Sequence, residues 1–265
     1  MQVTSDDAKL SFEIVGEGPP VVLLHPFPAN HEVWAPVAEI LAPKYRCILP
    51  DLRAHGDSEA GVGPALMARH AADLNKVCEM AAVGKAVFAG VSIGGYILFE
   101  FWRQFPERVH ALVFCDTRAS ADTEEARAAR LKAAEDVLQT GPEPFVEALV
   151  PKLLGETTRR DRPEVVEQAR RMMAKMSAEK IAAVQQGMAA RPDSIPTLPT
   201  INVPTLVLVG EEDTLTPRAD AEAIAKGIAG SQLKLIPRAG HFAPLEQPEE
   251  TANTLLAFLD ALPRW

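Results

Sequence analysis

The chain has no surplus of positive charge: 27 lysines and arginines stand against 36 aspartates and glutamates in 265 residues, a formal net charge of −9. Attraction to a phosphate backbone or an anionic bilayer needs the opposite sign, so nucleic acid and membrane surfaces are not expected as partners. Cysteine is scarce. Cys47, Cys78 and Cys115 lie far apart in apolar stretches, an odd number without metal-ligand spacing. They read as buried thiols in a reducing compartment, with neither disulfides nor a metal centre. No run of about 18 apolar residues occurs, which removes the signal for a transmembrane helix. The opening "MQVTSDDAKL" lacks the basic and apolar segments of a secretory signal. A cytoplasmic protein is the expectation. No internal repeat is visible. What is present is ordinary globular composition, 47% hydrophobic and 24% charged, in a chain long enough for one large core or a core with an appendage.

Two hydrophobic periods alternate along the first half. Short β-rich runs at 20–25 ("PVVLLH"), 45–51, 85–91 ("KAVFAGV") and 109–117 are separated by helical patterns such as 65–82. Strand, helix, strand, helix predicts a parallel sheet covered on both faces, because parallel strands need crossover connections. From 118 to about 199 the strand signal disappears. Helix-forming Ala, Arg, Glu, Leu and Met are punctuated there by Pro142, Pro144, Pro151, Pro163, Pro192, Pro196 and Pro199, which predicts an insertion of about four short helices. Strands resume at 203–210 and 231–237, and a closing helix is expected from about 248 to 261. The expected organisation is an α/β core of residues 1–117 and 199–265 interrupted by a helical cap, 118–198.

Between the strand "VFAG" and the helix "GYILFEFWRQF" stands "AGVSIGGY", residues 89–96. Ser92 is thereby placed at a strand-to-helix turn, with Gly90 and Gly94 two residues to either side, where a Cβ would collide across a tight reversal. Such a turn presents the hydroxyl at the carboxyl edge of the strand, beside helix N–H groups that lack partners. A serine in that position can also be a plain helix cap. Its partners decide between the two.

A serine hydroxyl needs a base, and the base needs an orienting acid. Among six histidines, His241 in "RAGHFAPLEQP" is the one in a late loop before the last helix, and it completes the chain order Ser, acid, His. Asp213 follows the strand "TLVLVGEED" at its carboxyl end, and "TLTP" turns the chain sharply after it. Asp116, ending the preceding strand, competes for the same role. In "DLRAHGDS", Asp51, His55 and Asp57 lack a fourth convergent ligand for a metal site.

The segments "LLHPFPANHEVW", "DLRAHGDS", "AGVSIGGY", "VGEEDTLTP" and "AGHFAPLEQP", in this order over nearly the whole chain, resemble the α/β-hydrolase fold superfamily. The likeness is greatest to its small bacterial carboxylesterase, enol-lactonase and cofactor-free perhydrolase branch. The resemblance implies a mostly parallel eight-stranded sheet with helices on both faces, a cap after the sixth strand, and a Ser92, Asp213, His241 triad. It also implies an oxyanion hole with one donor at the Ile93 N–H and a second in the loop after His25. The family usually has His-Gly there; this chain has Pro26. Pro26 and Pro28 carry no N–H, which leaves Phe27 as the donor, unless the prolines only stiffen the turn and the donor comes from elsewhere.

Serine at this turn argues against the dehalogenase and epoxide-hydrolase branches, which carry an aspartate. The expected activity is hydrolysis of a small carboxylic ester through an acyl-enzyme, with lactone hydrolysis second and carbon–carbon or peroxide chemistry third. A receptor-like binding protein on the same fold is the non-enzyme alternative. No cofactor or metal is implied, and the partner is a small-molecule ester or lactone. Arg118, Met173, Met188, Leu215 and Phe242 are the expected pocket residues; Arg118 or Arg191 would serve a substrate with a free carboxylate. Methionines 172, 173, 176 and 188 are expected in cap helices. Trp265 reads equally as a subunit contact or a packed terminus, and oligomeric state is not legible.

Overall fold

The apolar β-rich runs become the middle of one sheet. In the computed structural model, which describes residues 1–263, the elements in chain order begin with β1 (Gln2–Ser5), β2 (Ala8–Val15), β3 (Pro20–Leu24), α1 (Ala35–Leu41), β4 (Arg46–Pro50) and α2 (Met67–Met80). There follow β5 (Ala86–Val91), α3 (Ile93–Gln104) and β6 (Val109–Cys115). Trp265 lies outside the described residues. Strand order is β1-β2-β4-β3-β5-β6, continued by β7 (Thr205–Gly210) and β8 (Gln232–Ile236). β2 pairs antiparallel with both β1 and β4, and the other pairs are parallel.

Burial explains the two kinds of strand. Every residue of β5 and of β7 is buried, as parallel strands covered on both faces require. β2 alternates buried and exposed positions, the pattern of a strand with one wet face. Successive side chains of the central strands feed opposite cores. Val22, Leu24, Phe88, Leu112 and Phe114 pack with α2 and α3. Val21, Leu23, Val87, Ala89 and Val113 pack with α1 and with α11 (Pro248–Asp260).

Five α-helices lie between β6 and β7, one more than the proline punctuation suggested: α4 (Glu124–Thr140), α5 (Pro142–Leu153), α6 (Glu156–Asp161), α7 (Pro163–Met173) and α8 (Ala178–Ala189). The difference has a local cause. Pro142 and Pro163 open helices at their first position, where no N–H is needed, and Pro151 lies within α5. Thr123 caps α4, its Oγ1 accepting the Ala126 N–H at 3.2 Å, with Glu124 and Glu125 in the first turn. After β7 come α9 (Arg218–Gly227), β8 and the short α10 (Ala243–Glu246) before α11. Because six strands run parallel, the carboxyl ends of β3, β5, β6, β7 and β8 open on one edge, and the inserted helices follow β6 at that edge.

Candidate active site

Ser92 sits where β5 ends and α3 begins, with φ 54° and ψ −113°, a left-handed backbone that costs a non-glycine residue about 1–3 kcal/mol. Neighbouring bonds hold the turn: the Ser92 N–H donates to Cys115 O at 3.0 Å and Asp116 O at 3.1 Å, and Thr117 Oγ1 donates to Ser92 O at 2.7 Å. Glycine is required on both sides. A Cβ on Gly90 would come within 2.5 Å of the Gly94 carbonyl carbon, and one on Gly94 within 2.8 Å of Leu24 O. The reversal is therefore pressed directly against the end of β3, the strand that leads into the Phe27 loop.

His241 is fully buried, and its Nδ1 lies 2.8 Å from Asp213 Oδ2. Asp213 receives four contacts: the N–H groups of Leu215 and Thr216 reach Oδ1 at 2.8 and 3.0 Å, and Thr216 Oγ1 reaches Oδ2 at 2.5 Å alongside the imidazole. Burial alone would raise this carboxyl; the facing imidazole and the Thr216 donors outweigh burial and hold it below the usual carboxylate range. An ionised carboxylate only accepts, so the imidazole proton belongs on Nδ1 and the lone pair on Nε2. Nε2 is buried and has no partner. No hydrogen bond joins it to Ser92 Oγ, and such contacts are often loose until substrate is bound.

Asp116, the competing acid, is buried beside this pair and accepts the Gly210 N–H at 2.6 Å on Oδ1, while Oδ2 has no partner. Burial, reinforced by the nearby Asp213 charge, pushes its carboxyl well above the ordinary range. Two carboxylates at adjacent strand ends are thus driven in opposite directions, and it is Asp213 that meets the imidazole.

Phe27 and Ile93 are buried, and neither backbone N–H donates to an acceptor among the described residues. The Phe27–Pro28 peptide is cis. The loop is anchored by His25, whose Nδ1 lies 2.9 Å from Pro26 O and whose Nε2 accepts the Leu52 N–H at 2.9 Å; burial lowers its pKa to about 4. Asp51 serves the same end of the sheet, accepting the His31 and Asp57 N–H groups at 3.0 and 2.8 Å. Among the described residues no group of three or more His, Cys, Asp or Glu is placed to hold a metal ion.

A cavity of about 330 Å³ opens at Ser92 and is walled by Phe27, Tyr96 and Thr216 from the core and by Leu149, Gln185 and Met188 from the cap. Arg118, Met188 and Leu215 of the expected pocket set line it. Met173 and Phe242 do not: both are fully buried in a separate apolar cluster joining α5 and α7 to Ala29, Val33 and Leu245. Hydrophobicity placed them inside correctly but could not say whether they face the cavity or the seam between cap and core. Arg191 is buried too, its guanidinium 4.4 Å from the Tyr96 ring centroid and 2.7 Å from Asp122. Asp122, Arg130 and Gln185 line the cavity without having been singled out in the sequence: Arg130 is on the Ala- and Arg-rich α4, which resembles a solvated surface, Asp122 just precedes it, and Gln185 is a polar residue of α8.

Glu246 is the other residue missed. Fully buried in the stretch after His241, it accepts the N–H of Gly240 at 3.0 Å and of Phe242 at 3.1 Å on Oε1, and the N–H of Gly155 in the cap at 2.8 Å on Oε2. Burial pushes this carboxyl up, opposed by those N–H donors. The backbones meet there as well: a Cβ on Gly240 would lie 2.2 Å from Gly155 N. The available signal was a carboxylate inside the apolar run "FAPLEQP".

A sequence model of the alpha/beta hydrolase fold matches residues 19–248. The chain is 28% identical over 249 residues to a 3-oxoadipate enol-lactonase of Acinetobacter baylyi, covering 93% of this chain and 91% of that one. Among solved structures, a thermophilic esterase from Thermogutta terrifontis is 42% identical, with a TM-score of 0.93 over 96% of this chain and 93% of its own. An enol-lactonase from Burkholderia xenovorans shares the fold at 24% identity, with a TM-score of 0.91 over 98% of this chain and 100% of its own.

Proposed function

The chain belongs to the α/β-hydrolase fold family, and from that premise we propose that it is a serine hydrolase cleaving small carboxylic esters through an acyl-enzyme. The observation that carries this reading is a buried imidazole held by Asp213 on one nitrogen and unpartnered on the other, at the sheet edge where Ser92 opens into a cavity. His241 Nε2 takes the proton from Ser92 Oγ as Oγ bonds to the ester carbonyl carbon. The carbonyl oxygen takes up negative charge and is held by the Phe27 and Ile93 N–H groups and by the positive end of α3. The tetrahedral carbon then releases the alkoxide, which leaves as alcohol with the proton from His241. Water repeats the sequence on the acyl-enzyme: His241 takes its proton, hydroxide adds to the acyl carbon, and the acid departs as Oγ recovers the proton. Asp213 keeps the imidazole in the required tautomer throughout.

A lactone is an ester whose leaving alcohol stays attached to the acyl group, and the same steps open it. The Acinetobacter enol-lactonase relative favours this second reading, and the more similar Thermogutta esterase favours the first. At about 330 Å³ the cavity is near the lower end of small-molecule sites, about 300–1,000 Å³, which suits a short acyl chain.

The test is Ser92→Ala. Its kcat/KM on p-nitrophenyl butyrate should fall by about 10⁴-fold or more while the thermal midpoint stays within a few degrees. Activity within tenfold of the parent would contradict the reading.

A further inference from the structure

The cavity carries a charge that ester hydrolysis by itself does not require. In the wall that the cap contributes, Asp122 lies between two guanidinium groups, 2.6 Å from Arg130 Nε and 2.7 Å from an Arg191 terminal nitrogen. Arg191 is fully engaged: besides Asp122 it donates to Met188 O and Ser120 O and lies over the Tyr96 ring. Its side chain is 3% exposed, so its charge and that of Asp122 cancel in place. Arg130 then carries the surplus. Its Nε serves Asp122 and its Nη1 reaches Gln185 Oε1 at 3.2 Å and Met188 Sδ at 3.5 Å, which leaves Nη2 without an acceptor among the described residues. The side chain is 26% exposed and lines the same cavity as Ser92. The charge of the second lining guanidinium, Arg118, is balanced by Asp220 at 3.2 Å and its Nη2 also bonds to Leu215 O, while its Nε is buried without a partner among the described residues. Asp213 is committed to His241 and lies behind Thr216. An unspent positive charge thus faces the substrate cavity in a chain whose overall charge is −9.

We propose that Arg130 is a specificity residue that selects esters or lactones bearing a free carboxylate on the part of the substrate remote from the scissile bond. A guanidinium with an unused N–H meets a carboxylate with short, charge-assisted hydrogen bonds, and a partly desolvated cavity strengthens them. Apolar walls at Leu149, Leu153 and Met188 would carry the connecting methylenes. The proposal rests on the serine-hydrolase reading, and the experiment separates the two.

Wild type and Arg130→Met are compared on the monomethyl esters of succinate, glutarate and adipate and on methyl butanoate, pentanoate and hexanoate, with turnover followed by acid release. For at least one chain length the wild type should prefer the charged ester about tenfold to hundredfold. Arg130→Met, which keeps the apolar stem, should bring the ratio of charged-ester to neutral-ester kcat/KM down to about one or below, whatever the change in the neutral series. Arg130→Lys, with charge but no fork, should fall between. A wild type that favours the neutral member at every length overturns the proposal. So does an Arg130→Met variant that loses both classes equally, the result of a purely structural tie between α4 and α8. Glutarate supplies a readout without turnover: it should slow labelling of Ser92 by a fluorophosphonate probe in wild type and not in Arg130→Met. Labelling indifferent to glutarate overturns this inference alone; no labelling of Ser92 even without glutarate overturns the serine-hydrolase reading beneath it.

Discussion

Two helices that flank the cavity are built on opposite terms. α3, behind Ser92, buries nine of its 12 residues, including Ile97, Phe99 and Phe101, whereas α4, in the cap, buries only Ala134 and Val137 of 17. The first is fixed by close packing on a sheet. The second lies along α8 over a long contact, yet buries few of its own side chains fully and adds polar ties such as Arg130 to Asp122 and Gln185. Close-packed interiors tolerate little displacement, while partly exposed ion pairs contribute little to stability. On the proposed reading, the chemistry stands on the closely packed region, and the choice of substrate falls to a region where exposed side chains can change at small cost.

The largest effect that would sharpen this contrast concerns the two carboxylates of the sheet edge. Asp213→Asn should lower kcat by about 10⁴-fold, because an amide no longer enforces the Nδ1–H tautomer. Asp116→Asn should leave kcat within tenfold, since burial already disfavours the charge there and the Gly210 N–H can still be accepted. Equal losses at both positions, measured on one ester, would break the distinction.

Acid should weaken the core before the cap. His25 and His70 are buried with pKa values lowered to about 4, and His55 is lowered well below the usual histidine value, burial being the main cause in each. A group whose folded pKa is depressed contributes stability that is complete above about pH 6.5 and lost as the pH falls toward 4, because the unfolded chain takes up the proton first. His31 works in the opposite sense, raised by its bond to Asp51 against the cost of burial. The net expectation is a loss on the order of 3 kcal/mol or more in urea-unfolding free energy between pH 7 and pH 4.5. An unchanged value would contradict the account of this edge.

A smaller effect tests the seam between the two regions. Glu246→Gln can keep an oxygen on the Gly240 and Phe242 N–H groups while its amide turns against Gly155, so it should loosen the cap alone and raise KM several-fold with kcat nearly unchanged. Glu246→Ala frees the histidine loop as well and should lower kcat about tenfold. Identical kinetics for the two variants would show that Glu246 does not hold the two sides separately.

The sequence made the sheet edge legible for a physical reason. A strand of continuous apolar residues followed by Gly-x-Ser-x-Gly leaves the backbone few alternatives, and the structure brings Asp213 and His241 together at neighbouring strand ends. β1 and β2 went unread because β1 is only four residues long and β2 alternates with a half-exposed face and no continuous apolar run. In the cap, periodicity showed helices but not their orientation, so Met188 fell on the cavity while Met173 fell on the seam; in the loops after β7 and β8 there was no periodicity to read, and Leu215 fell on the cavity while Phe242 fell on the seam. Arg130 and Asp122 were unreadable singly, since their meaning lies in a charge balance across three segments. Glu246 was a visible anomaly, a carboxylate among apolar residues, whose partners come from opposite sides of a fold boundary.

The most direct test of the central claim, that Ser92 is an activated nucleophile and not a helix cap, is exposure of the folded protein to a fluorophosphonate probe followed by peptide mass spectrometry. The account predicts one stoichiometric adduct on Ser92, formed at least a hundredfold more slowly in His241→Ala. An unlabelled Ser92 in the folded wild type, or labelling equally fast without His241, would contradict it.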